Sequence, residues 1–270
     1  MKMFKFYLIA SGLLIAFSTN AQKSSKKMGG SDYSKFSVSV GGGIANYQGD
    51  LIDKRINFTQ FGTSLSAGVQ YAFSPRIAAR FDLGYEKLQG SDSKSGGAVP
   101  NRNLSFKSNV FDFSLAAEFT ILNLDKFPIS PYVSAGVGVV VFDPYAYTPV
   151  TGKRQSLHDL NTEGQGLSGF GPSYDRSALE FPLGAGLKYR ANDNLTVVLD
   201  VNYRITQTDY LDDVSTRYPS MSTVNARNPI TSQFTFRGTG PYPSTGSQRG
   251  NPDNNDGFFT TQLKLVFKLK

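Results

Sequence analysis

From Leu179 to Arg190 the chain alternates apolar and polar residues with a period of two, breaks at Ala191-Asn192-Asp193-Asn194, and alternates again from Leu195 to Thr206. The odd positions hold Leu179, Phe181, Leu183, Ala185, Leu187 and Tyr189, then Leu195, Val197, Leu199, Val201, Tyr203 and Ile205. Successive side chains of a strand point to opposite faces, so this is a β-hairpin with one face in an apolar medium and the other in a polar one. A soluble sandwich meets the same condition, and the polar face must decide. Here it carries Gly184 and Gly186 among Glu180, Lys188, Arg190, Asp200 and Arg204, a composition suited to a narrow lumen in which charges pair. The apolar face has Phe181 and Tyr203 near one end and Tyr189 at the other, as lipid-facing girdles do. The hairpin is read as transmembrane.

The alternation recurs in Phe36–Ile44, Phe61–Phe73, Ile77–Glu86, Phe111–Ile121, Val133–Val141 and Phe259–Leu269, which with the hairpin makes eight strands. Their connections alternate in length. Asn46–Gln60, Gln89–Asn103, Asp143–Ser177 and Gln207–Asp256 are long, whereas Ser74-Pro75, Leu122–Ser130 and Ala191–Asn194 are short. Outer-membrane barrels place long loops outside and short turns in the periplasm, and an even strand count puts both chain ends on the periplasmic side. In that orientation Phe61, Tyr85, Phe111, Tyr203 and Phe259 fall near the outer rim, and Tyr71, Phe73, Phe119, Tyr189 and Phe267 near the inner. The expected fold class is all-β, an eight-stranded antiparallel transmembrane β-barrel of outer-membrane type.

Residues 1–21 read as a signal peptide, with Lys2 and Lys5 before an apolar run from Phe6 to Phe17 and small residues leading to a cut after Ala21. Residues 22–34 are a polar periplasmic tail, and residues 35–270 the barrel. The run is too short to span a bilayer as a helix, and no other segment offers the ~20 apolar residues required. Cysteine is absent, which excludes disulfides and a lipoprotein anchor. The net charge of +7 comes from scattered basic residues in an exported chain, so the expected partner is outer-membrane lipid and not nucleic acid.

The inward positions carry Arg80, Lys188, Arg190, Arg204, Lys264 and Lys268 against Asp82, Glu86, Asp112, Glu118, Glu180 and Asp200. Equal numbers in a confined space favour mutual pairing, because an unpaired buried ion costs several kcal/mol. A selective pore would carry one sign in excess. This lumen charge network is therefore read as a structural plug. His158 is the only histidine, which excludes a multi-histidine metal site and leaves a triad with Ser156 and Asp159 without visible support. Asp209, Asp212 and Asp213 lack calcium-loop spacing and read as a solvated loop base. Gly41, Gly42 and Gly43 precede no helix and suit a close-packed wall, not a phosphate loop. No catalytic residue, metal site or cofactor is expected.

Four loop motifs add a resemblance. Tyr47-Gln48-Gly49-Asp50-Leu51, Arg102-Asn103-Leu104-Ser105-Phe106, Thr162-Glu163-Gly164-Gln165-Gly166 and Thr208-Asp209-Tyr210-Leu211-Asp212-Asp213-Val214-Ser215, in this order and at strand ends, resemble the DUF6089 family of outer-membrane β-barrels. That family includes PorG-like proteins associated with type IX secretion. The resemblance runs from about Phe36 to the C-terminus and implies a non-enzymatic barrel whose partner is the periplasmic lipoprotein ring of the secretion machine. The alternatives from the fold alone are a small-solute channel or ligand-binding barrel, and an envelope enzyme that would need His158.

Overall fold

The computed structural model describes residues 35–52, 60–95 and 101–269. The expected signal peptide and polar tail lie outside the described residues. The strands are β1 (Phe36–Gln48), β2 (Gly62–Ala72), β3 (Ile77–Ser91), β4 (Ser105–Thr120), β5 (Ile129–Tyr147), β6 (Arg154–Ser156), β7 (Ser177–Arg190), β8 (Leu195–Thr206) and β9 (Gly257–Lys268). Four short helices lie between them, α1 (Asp92–Ser95), α2 (Leu157–Leu160), α3 (Met221–Arg227) and α4 (Ser232–Thr235).

All ladders between these strands are antiparallel. Sequential pairing carries the sheet from β1 to β5, then through β7 and β8 to β9, which pairs back onto β1. This closes an eight-stranded barrel and removes both sheet edges. The ninth strand, β6, is a short addition to the extracellular end of β5, with Tyr147 opposite Arg154.

The period-two pattern maps directly onto the wall. Along β4, buried and outward positions alternate from Ser105 to Thr120. Leu115 and Leu263 are each 57% exposed to the surroundings, within a continuous outward band of Leu, Val, Ile and Phe. A soluble monomer does not present apolar surface on that scale; lipid covers it. Cross-strand aromatic contacts bound the band. Tyr85 meets Phe111 at 4.8 Å and Tyr203 stacks on Phe259 at 4.3 Å near the outer rim. Near the inner rim Tyr71 meets Phe36 at 4.9 Å and Phe73 at 5.1 Å.

Short polar side chains form the periplasmic turns. Ser74 Oγ accepts from the Ile77 amide at 3.1 Å, and Asn192 Oδ1 accepts from the amides of Asn194 and Leu195, both at 2.9 Å. Such side-chain-to-backbone bonds stand in for part of a turn's own bonding and let long strands reverse within a few residues. At Gly43 the neighbouring strand comes so close that a Cβ would overlap the Thr261 carbonyl, so the glycine run belongs to the wall.

β1 runs four residues further outward than alternation predicts, to Gln48, and three strands extend further still. β3 runs to Ser91 instead of ending at Glu86, β4 begins at Ser105 instead of Phe111, and β5 spans Ile129–Tyr147 instead of ending at Val141. A tilted strand crosses a membrane in about 9–11 residues. β5, with 19 residues, therefore projects well beyond it. Part of the segment expected as a loop from Asp143 to Ser177 is consequently a wall built by β3–β6.

Inside this projecting wall the inward side chains become apolar. Leu88, Phe106, Val110, Val140, Phe142 and Phe258 meet Leu51, Leu104, Leu157, Leu160, Leu211, Val214 and Phe234 from the loops in one buried core. Described residues of the long loops thus fold inward onto the wall at its outer end.

Candidate functional site

The lumen charges separate into two layers. In the layer nearer the periplasm, Arg80 lies 2.5 Å from Asp82, 3.2 Å from Glu118 and 3.7 Å from Asp200. Lys264 reaches Asp200 at 3.1 Å and Asp82 at 3.8 Å. Lys188 pairs with Glu118, and Tyr132 donates its hydroxyl to Asp200. Gln70 also donates to Glu118, at 2.5 Å. Three cations and three carboxylates share these contacts, from strands β3, β4, β7, β8 and β9. Neighbouring strands supply opposite signs from inward positions two residues apart in register, Arg80 next to Ala78, which faces Glu118, and Asp200 next to Val198, which faces Lys264.

The second layer lies further out. Arg204 is 3.2 Å from Asp112 and 3.9 Å from Glu180, and it also donates to Thr260 at 2.9 Å. Glu86 accepts from Ser64 at 3.1 Å. One cation here faces three acids, so the balance of the lower layer is not repeated. Two residues of the expected network lie at the periplasmic rim: Arg190 contacts Asp125 at 3.0 Å and Asp193 at 3.8 Å in the turns, and Lys268 is half-buried at the end of β9.

Above the apolar core is a polar cap. Glu163 accepts from the amides of Ser215 and Thr216 at 2.9 and 3.0 Å, from Thr216 Oγ1 at 2.6 Å and from Arg249 at 2.7 Å. Arg249 also donates to the Asp213 carbonyl at 2.7 Å, while Asp213 accepts from Thr162 at 2.5 Å and Tyr174 at 2.8 Å. Arg102 holds Asp92 with two nitrogens, at 2.9 and 2.6 Å, and donates to the carbonyls of Asp50 and Arg249. Tyr47 Oη is 2.6 Å from Asp212 and 2.8 Å from Asp256. The hydroxyl has one proton to donate and sits within donating distance of both carboxyls, so the two acids share it. Burial pushes the carboxyls of Asp212 and Asp256 well up, and other aspartates nearby reinforce the shift.

These contacts correct the reading of Asp209, Asp212 and Asp213 as a solvated loop base. Asp212 and Asp213 are 1% and 0% exposed, and Asp209 is also buried. Burial pushes Asp209 up to about 9, with Asp212 and Asp50 adding to the shift. It pushes Asp213 up to about 6 against the opposing pull of Arg249. The four loop motifs quoted above converge here, with Tyr47 on Asp212, Arg102 on Asp50, and Glu163 and Thr162 on the 208–215 segment. Alternation does not reveal Arg102, Glu163 and Arg249 as key cap residues; Arg102 and Glu163 are signalled only by their place in the loop motifs, and Arg249, outside all four, has no sequence signal.

His158 sits on α2. Its Nδ1 faces Asp159 Oδ1 at 3.2 Å, its Nε2 faces the Tyr174 carbonyl at 3.0 Å, and its ring packs edge-on against Tyr174 at 4.9 Å. Those contacts fasten a loop. Among the described residues there is no cluster of acidic, histidine and cysteine side chains able to hold a metal ion, and no helix long and apolar enough to cross a membrane.

No curated protein matches the sequence. Among solved structures, Neisserial surface protein A is similar at 10% identity, covering 87% of this chain and 98% of its own, with a TM-score of 0.45. OprG from Pseudomonas aeruginosa is 9% identical, covering 88% and 98%, with a TM-score of 0.43. The outer membrane enzyme PagL is 16% identical, covering 86% and 99%, with a TM-score of 0.32. The family model for the outer membrane protein beta-barrel domain matches residues 9–237. With a closed eight-stranded wall, a lipid-facing apolar band and that match over most of its length, the chain belongs to the outer membrane protein beta-barrel domain family and resides in the bacterial outer membrane.

Proposed function

We propose that the protein is a non-enzymatic, non-conducting structural barrel that serves as a PorG-like component of type IX secretion. The observation that carries the structural reading is the filled axis. Two layers of lumen charges, an apolar core and a hydrogen-bonded cap lie in series along it. An eight-stranded lumen is just wide enough for side chains to fill it. The engaged nitrogens of His158 support a structural and not a hydrolytic role for that loop.

The secretion role rests on the four loop motifs, whose convergence in one cap supports reading them as a unit. Docking to a periplasmic lipoprotein ring would use the turns around Asn123–Phe127 and Ala191–Asn194, together with the tail of residues 22–34. These turns are small, so such a contact would be modest in area. Planar-bilayer recording on the purified barrel tests the first part, with no steady conductance expected; a stable ohmic step would refute it and favour the small-solute channel. Crosslinking in intact cells tests the second. It should capture a ring lipoprotein through residues 123–127, and no capture together with unimpaired secretion after deletion would remove the machine role.

A further inference from the structure

The projecting wall has an outward face above the lipid belt, and its composition differs from the belt's. Tyr85 and Phe111 pair across β3 and β4 at the outer girdle. One outward row higher, Lys87 stands opposite Asn109, which in turn stands opposite Asp143. In the next row Lys107 lies between Gln89 and Tyr145, and above it Tyr147 pairs with Arg154. Two residues along a strand rise about 6.6 Å. With a tilt near 40°, each row gains roughly 5 Å of height. These cations therefore occupy the first ~15 Å outside the hydrocarbon, at the level of lipid headgroups.

Their positions are fixed by the wall. The Arg154 guanidinium lies 4.1 Å from the Tyr145 ring centre and 2.9 Å from Asp143. Arg176 reaches the same Asp143 at 3.2 Å. Lys107 stands 5.8 Å from the Tyr147 ring. Among the described residues Asp143 is the carboxylate paired with Arg154 and Arg176; counted against it and the exposed Asp175 beside Arg176, the cations Lys87, Lys107, Arg154 and Arg176 leave two positive charges in excess. Arg154 and Arg176 remain 49% and 47% exposed at their side chains. At the outer ends of β2 and β8, by contrast, the outward strand residues are the uncharged Thr63 and Ile205.

We infer that this face binds the phosphate groups of phosphorylated glycolipid in the outer leaflet. The charge is complementary, and the patch is continuous with the surface that lipid already covers. Guanidinium groups bind phosphate through paired donors, and lysines add point charges at the same level. The inference goes beyond the structural role proposed above and does not depend on a secretion partner.

The test uses the full mature chain in detergent micelles, with native mass spectrometry to count bound lipid. Diphosphoryl lipid A should bind, and its dephosphorylated form should bind about ten-fold less. The triple change Lys87→Gln, Lys107→Gln, Arg154→Gln should reduce diphosphoryl binding by about ten-fold, whereas Lys126→Gln in a periplasmic turn should leave it unchanged. Heat-modifiable migration reports whether each variant folds. If the triple variant does not fold, Lys107→Gln alone should still reduce binding by about three-fold. Undiminished binding by the folded variant, or equally effective displacement by phosphatidylglycerol, would overturn the assignment.

Discussion

Removing the Arg249 guanidinium probes the cap most directly. The side chain is fully buried, 2.7 Å from Glu163 and 3.8 Å from the Asp213 carboxylate. Arg249→Ala leaves those two acids enclosed and facing one another, while the backbone carbonyl that receives Arg102 is retained. Breaking a buried pair from one side costs about 3–5 kcal/mol. The cost falls on the cap, because the barrel ladders do not use this residue. Each 1.4 kcal/mol is a factor of ten in an opening equilibrium, so amides protected by the cap should exchange roughly two to nearly four powers of ten faster. Those of Ser215 and Thr216 report directly, since both donate to Glu163. Hydrogen exchange in lipid nanodiscs measures them beside the β4–β5 ladder, which should be unchanged. The double variant Glu163→Gln, Arg249→Met should recover part of the loss, as coupled partners do. Acceleration of less than about ten-fold at Ser215 and Thr216, or equal acceleration in β4, would refute the pair as the cap's fastening.

Glu118→Ala takes from Lys188 its carboxylate partner and from Arg80 one of three, and should cost about 3–5 kcal/mol in reversible unfolding from vesicles, less where water enters. Leu199→Arg places a charge in the lipid-facing band and should cost about 2–4 kcal/mol in the same assay. The cap should also depend on pH. Asp209 and Asp213, pushed up to about 9 and about 6, bind protons more tightly folded than unfolded. Their contribution is therefore complete below about 4 and is lost as pH rises toward about 9. Exchange at Ser215, corrected for its intrinsic pH dependence, should accelerate from pH 6 to pH 9; a cap that tightens over that range contradicts the shifts.

The wall was legible because membrane crossing imposes the strictest alternation. β8 spans Leu195–Thr206, as the sequence predicts, since both of its faces have a sharply defined medium. The projecting ends of β3, β4 and β5 were not legible. There the inward positions Leu88, Phe106 and Phe142 turn apolar while outward Lys87, Lys107 and Asp143 turn polar, so the pattern reverses and simple strand continuation is masked. Pro144 adds a break signal although β5 passes through it. The cap was the least visible part. Asp212 and Asp213 resemble solvated loop acids until Tyr47, Arg249 and Thr162 arrive from positions distant in sequence. Only the motif resemblance marked those segments, and it carried no information on which side chains meet.

Tyr47 lies near the end of β1, and Asp256 immediately precedes β9. These are the first and last strands of the barrel, and their ladder is the seam at which the sheet meets itself. The hydroxyl of Tyr47 bridges Asp256 to Asp212 across that seam, and Asp212 belongs to the same loop that packs the outer core. This fastening can form only after the two ends of the chain have found each other. The Glu163–Arg249 and Arg102–Asp92 pairs join loop segments and do not cross that ladder, so among these contacts the Tyr47–Asp256 bond alone requires β9 to have docked on β1. The Tyr47–Asp256 bond thus records that circularisation is complete, a latch that only a closed barrel can set.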